Sequence, residues 1–204
     1  MAITVNRPIS AWYEESDLQP WWRIDYPPVA AYLSYIFGVM YLRVEPIAMN
    51  MQRGYESESL KVYMRFTALL VDMIFLIPAL LLIAKQFNRH ISNLLLVTLL
   101  IKPDVLLIDH GHFQYNSLIL GLILLAFHCL LNKKYYLACL LYTVAVHAKQ
   151  MATYYSLAFL AGLLGVAIRE YRHSRMKLMV ELGKYGLIVV GMSLVIWAPW
   201  INHY

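Results

Sequence analysis

The chain has 204 residues, of which 61% are hydrophobic and only 14% are charged. Ordinary soluble domains carry about 25% charged residues, so this composition argues against a soluble domain and favours an integral membrane protein. The formal net charge of +5 is typical of the basic loops that orient membrane proteins, and we expect no nucleic-acid partner. Cys129 and Cys139 both lie in apolar runs, and we interpret them as small buried residues.

The first 65 residues are mostly polar and contain many aromatic side chains. Tryptophan favours the membrane–water interface, and this region contains Trp12, Trp21 and Trp22. Residues 29–44 form an apolar run, but about 20 residues are needed to cross the hydrocarbon core of a bilayer. We therefore predict that residues 1–65 form a loop on one side of the membrane and that 29–44 is an interfacial or partly inserted helix.

The remaining residues, 66–204, are predicted to form a transmembrane helical domain. The sequence contains six apolar segments that we interpret as spans, at 66–84, about 91–108, about 117–131, 135–148, 151–168 and 182–201. Pro103 interrupts the second segment. Because proline lacks an amide donor and disfavours helix at the residue before it, this segment is predicted to be a broken helix. The predicted fold class is an all-α polytopic membrane protein.

Lysine and arginine are concentrated in three of the loops between these spans. The loops KQFNRH, NKK and REYRHSRMK carry Lys85, Arg89, Lys133, Lys134, Arg169, Arg172, Arg175 and Lys177. These loops alternate along the chain, so they fall on one side of the membrane. Because short cytosolic loops are rich in lysine and arginine, we assign that side to the cytosol. The opposite side then holds residues 109–116 and the junction 147–155.

The segment DHGHFQYN, 109–116, places polar chemistry between two very apolar runs. It carries the side chains of Asp109, His110, His112, Gln114 and Asn116. Such a group could bind sugar hydroxyls, hold a phosphate or orient a proton acceptor. It could equally be a helix end at which Asp109 or Asn116 caps the next helix. Gly111 is expected to allow a tight backbone path. An H-x-H pair with no clear third ligand is a weak metal signal, and we predict no metal site.

Other candidate residues lie at the edges of the apolar segments. Asp25 stands in the turn DYPP, where it could be functional or simply solvated. Arg53 has a planar guanidinium that suits a phosphate. Lys149 and Gln150 lie at the junction of two spans, where Lys149 could snorkel or neutralise a lipid-linked phosphate. Asp72 lies inside a predicted span, and we interpret it as a packing or cavity residue.

Several of these stretches together, in this order, resemble one family. They are ITVNRPISAWY, IDYPPVAAYLSY, RGYESESLKVYMR, IDHGHFQYNS and KQMATYY. The resemblance is to the dolichyl-phosphate-glucose-dependent glucosyltransferases of the endoplasmic reticulum, and it covers nearly the whole chain. The glycine between the two histidines and the RGYES stretch resemble more closely the members that add the first α-1,3-glucose to Man9GlcNAc2-PP-dolichol. The related members that add the second glucose stay open as an alternative.

The resemblance implies a GT-C-type glycosyltransferase fold, present here in part, with about six transmembrane helices and luminal amphipathic helices. It implies a dolichyl-phosphate-glucose donor, an acceptor oligosaccharide on dolichyl diphosphate, inversion at the anomeric carbon, and no metal or cofactor. Family members carry a transmembrane helix and an acidic stretch of the form GDYEAQRHW before the ITVN-like segment, and its aspartate is the expected base. That segment here stands at residues 3–6, so we expect this chain to be a fragment whose catalytic base lies upstream of Met1.

The resemblance also implies roles for individual residues. Asp25 would be a luminal acid that either lies near the acceptor or supports the loop, and Arg53 and Lys149 would be phosphate partners. The remaining substrate-binding candidates are Asp109, His110, His112, Gln114, Asn116 and Gln150. Two alternatives from other classes stay open: a non-catalytic membrane subunit or pseudoenzyme that binds lipid-linked sugar, and a small-molecule transporter.

Overall fold

Helices form all the regular structure of the residues that the computed structural model describes, which are 1–14, 24–50, 55–100, 103 and 105–201. The α-helices are α1 (Ala2–Asn6), α2 (Pro28–Leu42), α3 (Glu58–Val71), α4 (Ile77–Ala84), α5 (Arg89–Leu100), α6 (Asn116–Leu131), α7 (Tyr135–Val146), α8 (Ser156–Tyr171) and α9 (Arg175–Ile201). Short 3-10 turns occupy Ile9–Ala11, Pro46–Met49 and Gln150–Tyr155, and π-helical segments occupy Asp72–Leu76 and Val105–Gly111. The all-α prediction is confirmed for the described residues.

Helix α3 begins before the apolar run that predicted it. The Ser57 hydroxyl accepts a hydrogen bond from the Leu60 amide at 3.1 Å, which caps the first turn. The helix continues through the π-helical segment into α4, giving 27 helical residues from Glu58 to Ala84. The predicted span 66–84 is therefore the apolar part of a longer helix, and the predicted domain boundary at residue 65 lies inside α3. The division into 1–65 and 66–204 itself stays a prediction.

Helix α6 lies at the centre of the packing. Its side chains Leu118, Leu122 and Ala126 are buried, and the chain turns back at Asn132–Lys134 so that α7 packs antiparallel against it. The two cysteines face this interface, and both are buried and unpaired as thiols. Their predicted interpretation as small core residues is confirmed.

The loops fall into two groups at opposite ends of the helices. At one end Tyr135, in the first turn of α7, donates to Glu170 near the end of α8 at 2.8 Å. At this same end the Gln86 amide lies 3.4 Å from the ring of His128, near the end of α6. The three basic loops predicted to share a membrane side therefore lie together. Residues 112–116 and the junction around Lys149 meet at the other end.

Three of the described helices are long and apolar enough to cross a membrane: Glu58–Ala84, Gln150–Tyr171 and Arg175–Ile201. They contain the predicted spans 66–84, 151–168 and 182–201. Helices α6 and α7 are apolar but have only 16 and 12 residues. The region predicted as a broken helix consists of α5 and the second π-helical segment, with residues 101, 102 and 104 outside the description. Six spans and the GT-C-type fold stay predictions.

The N-terminal residues pack against α2 and the end of α9 through aromatic rings. The ring centroid of Trp12 lies 5.8 Å from that of Tyr32 and 6.0 Å from that of Trp200. Tyr32 also donates to the Ile196 carbonyl at 2.9 Å. Helix α2 has 15 residues and is about 22 Å long at 1.5 Å per residue, which suits the predicted interfacial element. Trp21 and Trp22 lie outside the described residues.

Candidate functional site

A cavity of about 610 Å³ opens at the end of the molecule opposite the basic loops. The start of α2, the 113–115 loop, the first turn of α6 and the junction between α7 and α8 form its walls. Four residues that the sequence singled out line it: Asp25, Gln114, Lys149 and Gln150. Apolar side chains, among them Met64, Leu118 and Ile119, line the remainder. A cavity with a few convergent polar groups on apolar walls is typical of a ligand site.

Lys149 is the cation of this cavity. Its ammonium donates to Gln114 Oε1 at 2.8 Å and to Asn116 Oδ1 at 2.6 Å. An ammonium has three N–H donors, so one remains after these two bonds. No carboxylate of the described residues lies within 4.0 Å of it. The two amide oxygens therefore orient a partly buried positive charge without neutralising it.

Asp109 organises the polar loop from behind rather than lining the cavity. Its side chain is fully buried. One carboxylate oxygen accepts from the Asn116 amide and side chain at 3.1 and 2.8 Å, and the other accepts from the Ser117 amide and hydroxyl, both at 2.7 Å. Asp109 thus caps helix α6, which is one of the two roles that the sequence left open. Because Asn116 contacts both Asp109 and Lys149, the cap also positions the cation.

His110 and His112 lie away from the cavity lining. His110 Nε2 lies 2.7 Å from Asp72 Oδ2, so it joins the 109–116 loop to the π-helical segment Asp72–Leu76. The Asp72 side chain is buried, and its Oδ1 has no hydrogen-bond partner among the residues that the structure describes. His112 is exposed, and its ring makes no hydrogen bond with any residue in the described ranges. A substrate contact of either histidine stays a prediction.

The backbone of this loop differs from what the sequence suggested. Gly111 was expected to take the tight path, but a Cβ built on it meets no atom within 4 Å, and its φ is not left-handed. The left-handed residue is Phe113, with φ 57°. The turn is made after the π-helical segment, because residues 105–111 still continue the helix. Tyr115 follows, and its hydroxyl lies 3.0 Å from the Thr67 hydroxyl.

The DYPP turn is fastened to the opposite wall of the cavity. Pro28 is the first residue of α2, and the Val29 amide donates to the His147 carbonyl at 3.0 Å. Asp25 is exposed and lies at the cavity rim. The Tyr26 hydroxyl donates to Ser34 at 3.3 Å. The turn therefore belongs to the cavity, although its aspartate alone could not show this.

Several lining residues carried no signal in the sequence. Tyr26 and Tyr115 line the cavity, and burial raises the pKa of Tyr115 to about 12, so its phenol is a neutral hydrogen-bonding group. Both tyrosines are next to residues of the DYPP and DHGHFQYN motifs. Nothing in the sequence distinguishes them from the other tyrosines of the chain. Arg53 lies outside the described residues.

The whole chain was compared with known protein families. A model of the "ALG6, ALG8 glycosyltransferase family" matches residues 1–204.

The chain belongs to the ALG6, ALG8 glycosyltransferase family.

Several glucosyltransferases from other organisms are similar to this chain. The chain is 36% identical over 209 residues to a Drosophila melanogaster protein named probable dolichyl pyrophosphate Man9GlcNAc2 alpha-1,3-glucosyltransferase, covering 98% of this chain and 43% of that protein. It is 38% identical over 210 residues to the Schizosaccharomyces pombe protein of the same name, covering 98% and 40%. It is 39% identical over 174 residues to the Saccharomyces cerevisiae dolichyl pyrophosphate Man9GlcNAc2 alpha-1,3-glucosyltransferase, covering 80% and 32%.

The predicted family is confirmed by this match. The names of these relatives also agree with the resemblance to members that add the first glucose. The chain spans about two fifths or less of the length of the relatives described. The cavity around Lys149 therefore belongs to a part of an ALG6, ALG8 family glycosyltransferase.

Proposed function

We propose that this chain forms the substrate-binding part of a glucosyltransferase of the endoplasmic reticulum membrane. The enzyme moves glucose from dolichyl-phosphate-glucose to Man9GlcNAc2-PP-dolichol. The observation that carries the proposal is the Lys149 ammonium, held at 2.8 and 2.6 Å by two amide oxygens at the wall of a 610 Å³ cavity. Family membership and the names of the relatives support the reaction class.

The reaction needs a positive charge where Lys149 lies. The acceptor's 3-hydroxyl forms a bond to the anomeric carbon while the bond from that carbon to the phosphate oxygen breaks. The departing phosphate gains negative charge, and a fixed cation in a poorly hydrated site stabilises it. The hydroxyl proton passes to a carboxylate acting as general base. No residue of this chain is assigned as that base.

The cavity walls offer polar groups to the glucosyl phosphate of the donor and apolar groups to its lipid chain. The remaining N–H of Lys149 faces a phosphate, and Gln114 and Gln150 offer amide groups to hydroxyls. Leu118, Ile119 and Met64 provide apolar surface for the first isoprene units. Asp25, at the rim, accepts hydrogen bonds from sugar hydroxyls of the acceptor. Arg53 is proposed as a second phosphate partner on the strength of the family resemblance alone.

The membrane placement completes the proposal. The six apolar segments 66–84, 91–108, 117–131, 135–148, 151–168 and 182–201 cross the membrane. The end that carries the basic loops faces the cytosol, in keeping with the excess of lysine and arginine there. The cavity then opens toward the lumen, at the depth where a lipid-linked phosphate lies. Helix α2 lies along the luminal interface as part of the loop 1–65.

A chimera tests the role of Lys149. This chain replaces the matching segment of the Saccharomyces cerevisiae relative in cells that lack that protein, and the lipid-linked oligosaccharides are sized after metabolic labelling. We expect Lys149→Gln to lower glucose transfer about 100-fold, the cost of removing one stabiliser of transition-state charge. Lys149→Arg should retain part of the activity because it keeps the charge.

Lys177→Gln is the matched control, because Lys177 is exposed in a basic loop at the other end of the molecule. It should leave transfer unchanged. Immunoblotting and gel filtration show whether the Lys149→Gln chimera is made and folded, since Lys149 also holds Gln114 and Asn116. Normal transfer by Lys149→Gln would contradict the proposed phosphate contact. Absence of transfer by the unmodified chimera would instead favour a non-catalytic subunit.

A further inference from the structure

A second cavity, of about 400 Å³, lies among the basic loops. The turn before α7, the first turn of α7, the end of α8 and the second and third turns of α9 form its walls. Helix α8 ends and α9 begins beside it, and both belong to helices long and apolar enough to cross a membrane. The cavity therefore lies at the height of lipid headgroups. Helix α7, of 12 residues and about 18 Å, separates it from the cavity of Lys149.

The lining of this cavity carries both signs of charge. Lys133 and Lys134 come from the turn before α7, Glu170 from α8 and Glu181 from α9. Glu181 is neutralised by Lys184, whose ammonium lies 2.6 Å from its carboxylate. Glu170 accepts from the Tyr135 hydroxyl at 2.8 Å, and within the described ranges no cation lies within 4.0 Å of it. One anionic group and two ammonium groups are thus available to a dipolar ligand.

Four tyrosine rings also line this cavity. Tyr135, Tyr136, Tyr171 and Tyr185 all line the cavity. The centroid of the Tyr185 ring lies 5.7 Å from that of Tyr136 and 6.5 Å from that of Tyr135. The Tyr185 hydroxyl makes no hydrogen bond to a residue of the described part of the chain, although the residue is buried. Aromatic rings beside a carboxylate are the surroundings that attract an organic ammonium.

We propose that this cavity binds the headgroup of a zwitterionic phospholipid. The ligand's ammonium lies among the tyrosine rings beside Glu170, and its phosphate lies at Lys133 and Lys134. Phosphatidylcholine and phosphatidylethanolamine share this dipole. A membrane lipid is favoured over a soluble phosphocholine ester because the cavity adjoins two apolar helices whose outer side chains, such as Ile168 and Met176, are exposed. These side chains would contact the acyl chains.

The test measures lipid binding by the full chain. The purified 204-residue chain is titrated in detergent with phosphatidylcholine, phosphatidylethanolamine and phosphatidylglycerol, and bound lipid is counted by native mass spectrometry. We expect the two ammonium lipids to bind more tightly than phosphatidylglycerol. Glu170→Gln should weaken phosphatidylcholine binding about fivefold to tenfold, in line with a desolvated cation contact, and should leave phosphatidylglycerol binding unchanged.

Glu58→Gln serves as the matched control, because Glu58 is an exposed glutamate at the other end of the molecule. It should not alter the binding of any lipid. Tyr136→Leu gives a second variant, at a ring that is 47% exposed; it removes an aromatic face together with the hydrogen bond that the Tyr136 hydroxyl donates to Glu181 at 2.7 Å. Equal binding of all three lipids, or Glu170→Gln variants that bind phosphatidylcholine normally, would overturn the proposal. Soluble phosphocholine binding as tightly as the lipid would overturn the assignment to a membrane ligand.

Discussion

One buried carboxylate, Asp109, links the start of a helix to the cation of the cavity. It accepts four hydrogen bonds from Asn116 and Ser117, and Asn116 in turn accepts from Lys149 at 2.6 Å. Helix α6 has no other cap at its first turn among the described side chains. The position of Lys149 therefore depends on a residue that lies behind the cavity wall.

We expect Asp109→Asn to destabilise the chain by about 1–3 kcal/mol. The amide side chain offers one acceptor oxygen where the carboxylate offers two, so buried donors on Ser117 are left unsatisfied. Denaturant unfolding of the purified chain in detergent measures the change. Asp25→Asn is the control, because Asp25 is exposed and surface changes usually stay within about 0.5 kcal/mol. Equal stability of the two variants would contradict the capping role.

Glu45 gives a second expectation at this scale, in the part of the chain that precedes α3. Its carboxylate accepts from the hydroxyls of Ser59, Tyr41, Tyr55 and Ser57, and these bonds lower its pKa from 4.5 to about 2. A carboxylate whose pKa is lowered by folding stabilises the folded chain at pH values above its pKa in the unfolded chain. This stabilisation is lost as the pH falls toward its pKa in the folded chain. The difference in unfolding free energy between the native chain and Glu45→Gln should therefore be largest above about pH 5 and should decrease between about pH 5 and pH 2.

Unfolding measured at several pH values from about 6 down to 2 checks this. The gap between the native chain and Glu45→Gln should shrink steadily in that direction. Ser59→Ala should reproduce part of the effect, because the Ser59 hydroxyl makes the largest contribution to the lowered pKa. A gap that does not change with pH would show that these hydroxyls do not favour the ionised form.

At the scale of elements, helix α6 and the π-helical segment Asp72–Leu76 approach each other at backbone distance. A Cβ built on Gly121 would lie 2.6 Å from the Phe75 carbonyl carbon and 2.9 Å from the Leu76 nitrogen. Backbone atoms cannot move aside as the tip of a side chain can. Glycine is therefore required here by packing, and this contact holds the segment that carries Asp72 against the helix that Asp109 caps.

Gly121→Ala should destabilise the chain by about 1–3 kcal/mol, the usual cost of overpacking. Gly186→Ala is a matched control within α9, because a Cβ at Gly186 meets nothing within 4 Å. Alanine is the better helix former, so this control should be neutral or slightly stabilising. Thermal unfolding of both variants in the same detergent separates the two effects. Similar melting temperatures would contradict the close approach.

The sequence predicted the helical class and most apolar segments, because hydrophobic runs are a local property. It placed Lys149, Gln114 and Asn116 among the candidates, and the structure brings them within hydrogen-bond distance. The pairing of His110 with Asp72 could not be predicted, because the two residues are 38 positions apart and each lies in a π-helical segment with no local signature. The expectation for Gly111 was wrong because the π-helical segment continues through residue 111, so the left-handed residue of the turn is Phe113.

At the scale of the whole molecule, the basic loops and the tryptophan cluster lie at opposite ends of the helices. Lys133, Lys134 and the 169–177 loop lie at one end, and the cavity with the Trp12–Trp200 ring cluster lies at the other. An excess of lysine and arginine in the loops of one end is typical of a membrane protein whose two ends face different compartments. This excess of positive charge at one end predicts that the end faces the cytosol, as the individual loops do.

Cysteine labelling tests this orientation in sealed microsomes. His173→Cys introduces an exposed thiol beside the basic loop, and His112→Cys introduces one at the cavity end. The native cysteines are buried, so the background is low. A membrane-impermeant maleimide should label His173→Cys at once, and His112→Cys only after permeabilisation. Immediate labelling of His112→Cys and protection of His173→Cys would reverse the orientation.

The two adjacent prolines of the DYPP turn have a mechanical consequence for the cavity. Neither Pro27 nor Pro28 has an amide hydrogen, so Val29 offers the first amide hydrogen of helix α2, and it is donated to His147 across the cavity. This hydrogen bond connects the segment that contains Asp25 to the segment that contains Lys149. A ligand that needs a wider cavity must break the hydrogen bond between Val29 and His147, whereas a narrower ligand can bind with this hydrogen bond intact.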